Sequence, residues 1–130
     1  MSYRDWRLRV QDMLKAIPRI RRYTAGMDYE AFAADDLTVD AVIRNVEIVG
    51  EASKYVPARI TRRHGEIPWE PLRTFRNFLA HEYFGVDRRV LWETVTRDLP
   101  PLEPRFRKLM EEPDRRPPSK YRRKKERQAL

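Results

Sequence analysis

The chain contains no cysteine, which removes disulfides and thiolate metal sites from consideration. His64 and His81 are its only histidines, too few for a histidine-rich metal site within one chain, so neither a metal nor a cofactor is expected. Glycine is scarce, the turn pairs Asn-Gly and Asp-Gly are missing, and Val, Ile and Thr never cluster in alternation, so β-hairpins have no support. No apolar run approaches the ~20 residues needed to cross a bilayer. Arg4, Asp5, Arg7 and Arg9 interrupt the first ten residues, which therefore do not read as a signal peptide, and a cytoplasmic protein is expected.

Charge, by contrast, is plentiful. Charged residues make up 37% of the 130, and the net charge is +8. Its distribution is uneven. Residues 113–130 hold eight Lys/Arg against Asp114 and Glu126, or +6, whereas residues 1–112 carry only +2. The length suits one ordinary domain. The expected organisation is thus a nearly balanced globular domain over 1–112 and a basic, disordered tail over 113–130 that attracts polyanions.

The periodicity is helical throughout, and the expected fold is all-α, an up-and-down bundle of four to five helices. A first helix spans about Tyr3 to Thr24, with Trp6, Val10, Met13, Leu14 and Ile17 on one face and Pro18 expected to kink or divide it. A short turn around Tyr29 to Ala34 has Asp28 as its N-cap. A second long helix runs from about Leu37 to Val56, capped by Asp35 or Asp36, with Gly50 inside it where another backbone packs close. Pro57 ends that segment or begins a short helix through Arg63, and His64-Gly65 reads as an exposed helix end. The third long helix covers about Pro68 to Phe84, with Trp69, Leu72, Phe75, Leu79 and Tyr83 at intervals of three and four. Asp87 caps a fourth segment carrying Val90, Leu91 and Val95. Pro100, Pro101 and Pro104 mark a restart before Leu102, Phe106, Leu109 and Met110.

Chemistry is concentrated in Arg76-Asn77-Phe78-Leu79-Ala80-His81-Glu82-Tyr83. On a helix Arg76 and His81 stand about 140° apart around the axis, so one helix does not put them on one face. Asn77 and His81 do share a face. Spacing alone yields a polar strip beside an apolar one, the pattern of a solvated helix face as much as of an active site.

The same run resembles the R-x-x-x-x-H-x-Y motif of the HepT-like family of HEPN proteins. Residues 41–52, from Ala41-Val42-Ile43-Arg44-Asn45 to Gly50-Glu51-Ala52, are similar to that family's second-helix signature. Ile67-Pro68-Trp69, Phe84-Gly85-Val86-Asp87 and Trp92 through Leu102 match as well, so the resemblance covers roughly residues 3–110. It implies a HEPN-type bundle and a metal-independent endoribonuclease toxin of a type II/VII-like toxin–antitoxin system, acting at a cleft in a homodimer. It also implies catalytic roles for Arg76, Asn77 and His81, and a cognate minimal nucleotidyltransferase antitoxin that transfers AMP to Tyr83. Two alternatives remain at this stage: a non-catalytic HEPN partner that presents substrate to a nucleotidyltransferase, and a helical nucleic-acid-binding protein. The +2 charge of the ordered region weighs against the latter.

Overall fold

A computed structural model describes residues 5–74 and 87–113. Helix α1 covers Trp6–Thr24 and begins where the Asp5 carboxylate accepts the Arg7 N–H at 3.0 Å, three residues later than the sequence suggests. Trp6, Val10, Met13, Ile17 and Ile20 recur every three or four residues and are all buried. Pro18 does not divide α1. It cannot donate to the Leu14 carbonyl, but the helix continues to Thr24 because the buried stripe on both sides of Pro18 packs on one core.

Asp28 caps the short α2, Tyr29–Ala33, by accepting the Ala31 N–H. Asp35, not Asp36, caps α3, Asp36–Ser53. It accepts both the backbone N–H and the hydroxyl of Thr38, and these bonds hold its carboxyl below the usual range. After Ser53, Lys54 to Val56 form a tight turn that hands over to α4, Ala58–Thr61, so α3 stops three residues short of the expected Val56. A 3₁₀ turn, Arg62–His64, follows. Residues 69–74 are helical and form the described part of α5.

Beyond the gap, Asp87 accepts the N–H groups of Arg89 and Val90 and caps α6, Arg88–Glu93. This helix widens into a π turn, Thr94–Asp98, in which the Leu99 N–H donates to the Thr94 carbonyl at 2.9 Å. The wider turn leaves both Val95 and Leu99 buried just before Pro100 and Pro101. Helix α7, Leu102–Met110, buries Leu102, Phe106 and Leu109.

Pairings across the bundle fix its topology. Arg9 near the start of α1 stacks on Tyr55 just after α3, so the two helices run antiparallel. Arg7 meets Glu112 and Arg21 meets Glu103, so α7 is also antiparallel to α1. Phe32 lies 5.0 Å from Trp92 and ties α2 to α6. No strand occurs among the described residues, and no described helix is long and apolar enough to cross a membrane.

One ion pair inside the bundle makes a measurable prediction. Glu103 is 4% exposed, and its carboxylate accepts hydrogen bonds of 2.6 Å from Arg21 on α1 and Arg107 one turn further along α7. The Arg21 hydrogen bond, against the opposing effect of burial, holds the Glu103 carboxyl below the ordinary range. A carboxyl depressed in the folded state contributes its stability above its unfolded value, near 4.3, and loses it as pH falls through the folded value. Glu103→Gln should therefore cost about 1–2 kcal/mol at pH 7, a figure reduced because both guanidiniums are largely exposed. Urea denaturation should show the difference shrinking below about pH 4.3. A gap that stays constant to pH 3 would contradict the pairing.

Candidate functional site

The residues that carry the proposed chemistry, Arg76, Asn77, His81 and Tyr83, lie outside the described residues. The frame that holds this segment is described on both sides. Upstream, Trp69 is 7% exposed, donates its indole N–H to the His64 carbonyl at 3.0 Å, and has its ring 6.1 Å from Phe106. Arg73, one turn later, points Nη2 at the Ser53 carbonyl at 3.5 Å, which sets this end of α5 beside the C-terminus of α3. Downstream, Arg88 donates to the Ala33 carbonyl and pairs with Asp36 at 2.9 Å, at the N-terminus of α3. The chain therefore leaves the described region at one end of α3 and re-enters it at the other, about 27 Å apart for an 18-residue helix.

Against this frame opens a cleft of 520 Å³. Val46, Val49 and Gly50 of α3 form one wall, and Pro71 and Leu72 of α5 another. Gly50 is buried there. The interior is apolar, with Arg97, Asp98, Arg105 and Glu66 at the rim. Such a lining can bury an apolar surface. A second cavity, 330 Å³ between α1 and α3, is charged instead, with Arg9, Asp12, Arg44, Glu47 and Glu51 around it. Asn45 adjoins these residues on α3 and is 5% exposed. Its amide donates to the Ala41 carbonyl at 2.9 Å, while its Oδ1 is buried without a hydrogen-bond partner among the described residues.

His64 corrects an expectation. It is not an exposed helix end: the residue is 9% exposed. Its Nδ1 stands 3.4 Å from Glu66 and its Nε2 3.3 Å from Glu112, the latter within ion-pair range but outside hydrogen-bond geometry. Glu112 also takes Arg63 at 3.1 Å and, through its carbonyl, Arg7. The carboxyl of Glu66 is held low, chiefly by a hydrogen bond from its own backbone N–H, with His64 and Arg105 adding to the effect. The cluster locks the end of α7 to the 3₁₀ turn. The neighbouring Arg62-Arg63 suggested solvent, and the partner that buries His64 lies 48 residues on in sequence.

Known proteins resemble this chain along most of its length. Residues 13–109 match the family described as ribonuclease HepT-like. A protein of Thermococcus cleftensis, provisionally named ribonuclease HepT, is 45% identical over 108 residues, which are 83% of this chain and 96% of the relative. One from Methanocaldococcus jannaschii, provisionally named an RNase, is 36% identical over 112 residues, 86% of this chain and 97% of the relative. Another RNase so named, from Caldanaerobacter subterraneus, is 36% identical over 86 residues, 66% of this chain and 77% of the relative. No solved structure is a significant match.

Proposed function

The chain belongs to the HepT-like ribonuclease family, and from that premise we propose that it is a metal-independent endoribonuclease acting through Arg76 and His81. One observation carries the reading: the Arg76-x-x-x-x-His81-x-Tyr83 motif falls inside the matched span, on a chain whose described elements are all helical.

RNA brings its own nucleophile. The 2′-hydroxyl attacks the adjacent phosphorus as its proton passes to an imidazole, and the P–O5′ bond breaks as a second imidazole protonates the departing oxygen. The products are a 2′,3′-cyclic phosphate and a 5′-hydroxyl. An imidazole with a pKa near 6.5 serves either role at neutral pH. Arg76 remains charged and grips the non-bridging oxygens as negative charge builds on them. Asn77 orients His81 or the phosphate. Because one motif supplies one histidine, a homodimer in which two copies of His81 meet provides both base and acid. Incubating RNA with the protein in EDTA tests the proposal. Products ending in cyclic phosphate support it, and intact RNA overturns it.

The proposal extends to control. A toxin of this type is silenced by a cognate minimal nucleotidyltransferase antitoxin that transfers AMP to Tyr83, two residues from His81. The added phosphate would place negative charge and bulk where the substrate phosphate binds. Intact-mass measurement after co-expression with such a transferase is expected to show one or more additions of AMP, lost in Tyr83→Phe. An unchanged mass in the parent chain removes this part of the proposal.

A further inference from the structure

The chain segments at the two ends of α3 differ in charge. Residues 25–43, which lead through α2 into the start of α3, hold Asp28, Glu30, Asp35, Asp36 and Asp40 and no Lys or Arg, with Arg88 and Arg89 of α6 packed on Asp36 and Tyr29. The opposite end holds the turn after α3 and the helix that follows. Residues 54–63 there carry Lys54, Arg59, Arg62 and Arg63 and no acidic residue. The N-terminal turns of α1 add Arg7 and Arg9 to this end, and Arg73 of α5 reaches it through the Ser53 carbonyl. The last described residues, Glu112 and Pro113, are tied to the same end through Arg7 and Arg63, and the eight Lys/Arg of residues 113–130 follow them directly in sequence.

In the middle of this basic end sits an aromatic side chain that packing does not explain. Tyr55 is 51% exposed, two residues after the buried pair Ala52 and Ser53. One face of its ring is covered by the Arg9 guanidinium, 4.0 Å from the ring centre, and Arg9 Nε is buried without a hydrogen-bond partner. A phenol ring stacked on the Arg9 guanidinium, half open to solvent and next in sequence to Lys54, offers what single-stranded nucleic acid selects: a π surface for a base, and cations beside it for the phosphates.

Its position relative to the motif is also bounded. Arg76 follows Arg73 by three peptide units, so their Cα atoms are at most about 11 Å apart whatever the local conformation. Arg73 in turn contacts Ser53, two residues before Tyr55. A strand whose scissile phosphate lies at Arg76 can therefore reach Tyr55 within a few nucleotides.

We infer that Tyr55, stacked on Arg9, is a base-binding subsite for single-stranded RNA. Lys54 and its basic neighbours carry the backbone of the same strand. The inference rests on the ribonuclease reading and deepens it.

The experiment measures two things on the full chain. One is the affinity for a fluorescein-labelled, single-stranded oligoribonucleotide of mixed sequence. The other is the KM and kcat for its cleavage. Tyr55→Ala is expected to weaken binding and raise KM by about 5- to 100-fold with kcat unchanged. Tyr55→Phe should restore both values, whereas Tyr55→Leu, which keeps apolar bulk without the π face, should not. A role confined to clamping α1 against α3 predicts the reverse, a lowered Tm with KM unmoved. Parent-like binding and KM in Tyr55→Ala overturn the subsite. A parent protein that binds the oligonucleotide but never cuts it overturns the ribonuclease reading instead, and the subsite is then judged on affinity alone.

Discussion

In chelated buffer, the His81→Ala protein is expected to cleave single-stranded RNA about 100- to 10,000-fold more slowly than the parent, because proton transfer by a positioned imidazole is worth that much in rate. Arg76→Ala should fall by about 100- to 1,000-fold for a different reason, the loss of a fixed positive charge where negative charge builds on the phosphate. Neither change touches the described core, so both variants should melt within a few degrees of the parent. Mixing parent with His81→Ala chains tests whether two histidines cooperate. If each site needs one from each subunit, equal mixing leaves about a quarter of the activity of the same number of parent chains alone, whereas independently acting chains leave about half. Cleavage by both single variants at the parental rate would remove Arg76 and His81 from the chemistry.

How far the sequence announces this molecule depends on the range of the interactions involved. The caps at Asp28, Asp35 and Asp87 are legible because a carboxylate at an N-cap bonds to backbone N–H groups two or three residues ahead. The buried stripes of α1, α3 and α7 are legible for a similar reason, since a core face repeats at helical spacing. His64 is not legible. Its burial depends on Glu112 and on the indole of Trp69, and nothing within a few residues of it announces either. Pro18 misleads because its local cost is set against a stripe of contacts along the whole helix. The π turn at Thr94–Asp98 answers to two prolines beyond it and to the burial of Val95 and Leu99 together, a tertiary requirement. Glu103 could have been noticed from its i,i+4 pairing with Arg107, although only the fold brings in Arg21. For the candidate site the limit is sharper. On an ideal helix residues five apart stand about 140° from one another, so the spacing of Arg76 and His81 by itself implies no reaction. Family membership supports ribonuclease chemistry for the chain, the roles of these two residues are part of the proposal, and the fold supplies the frame on either side of them.

Trp69→Ala is expected to cause the largest loss of stability among single changes at this frame. The side chain is 7% exposed, is part of the main core cluster and faces Phe106 at 6.1 Å, so its removal leaves a cavity the size of an indole. Truncations of this kind cost about 3–5 kcal/mol, a large part of the 5–15 kcal/mol that holds a typical domain folded. At about 4–8 °C per kcal/mol, the melting temperature should fall by roughly 10–40 °C. Trp69→Phe separates the ring from its N–H. It keeps most of the apolar contact and deletes only the bond to the His64 carbonyl, which retains the Ile67 N–H at 3.1 Å and so is not left bare. That variant should lose only about 1–2 kcal/mol. Activity separates this position from His81 in a further way. Trp69→Ala should recover RNA cleavage when assayed well below its own melting temperature, because Trp69 positions the helix leading to the motif without touching substrate. His81→Ala should recover at no temperature. A Trp69→Ala protein that melts with the parent would mean that α5 is held to the bundle by something other than this ring.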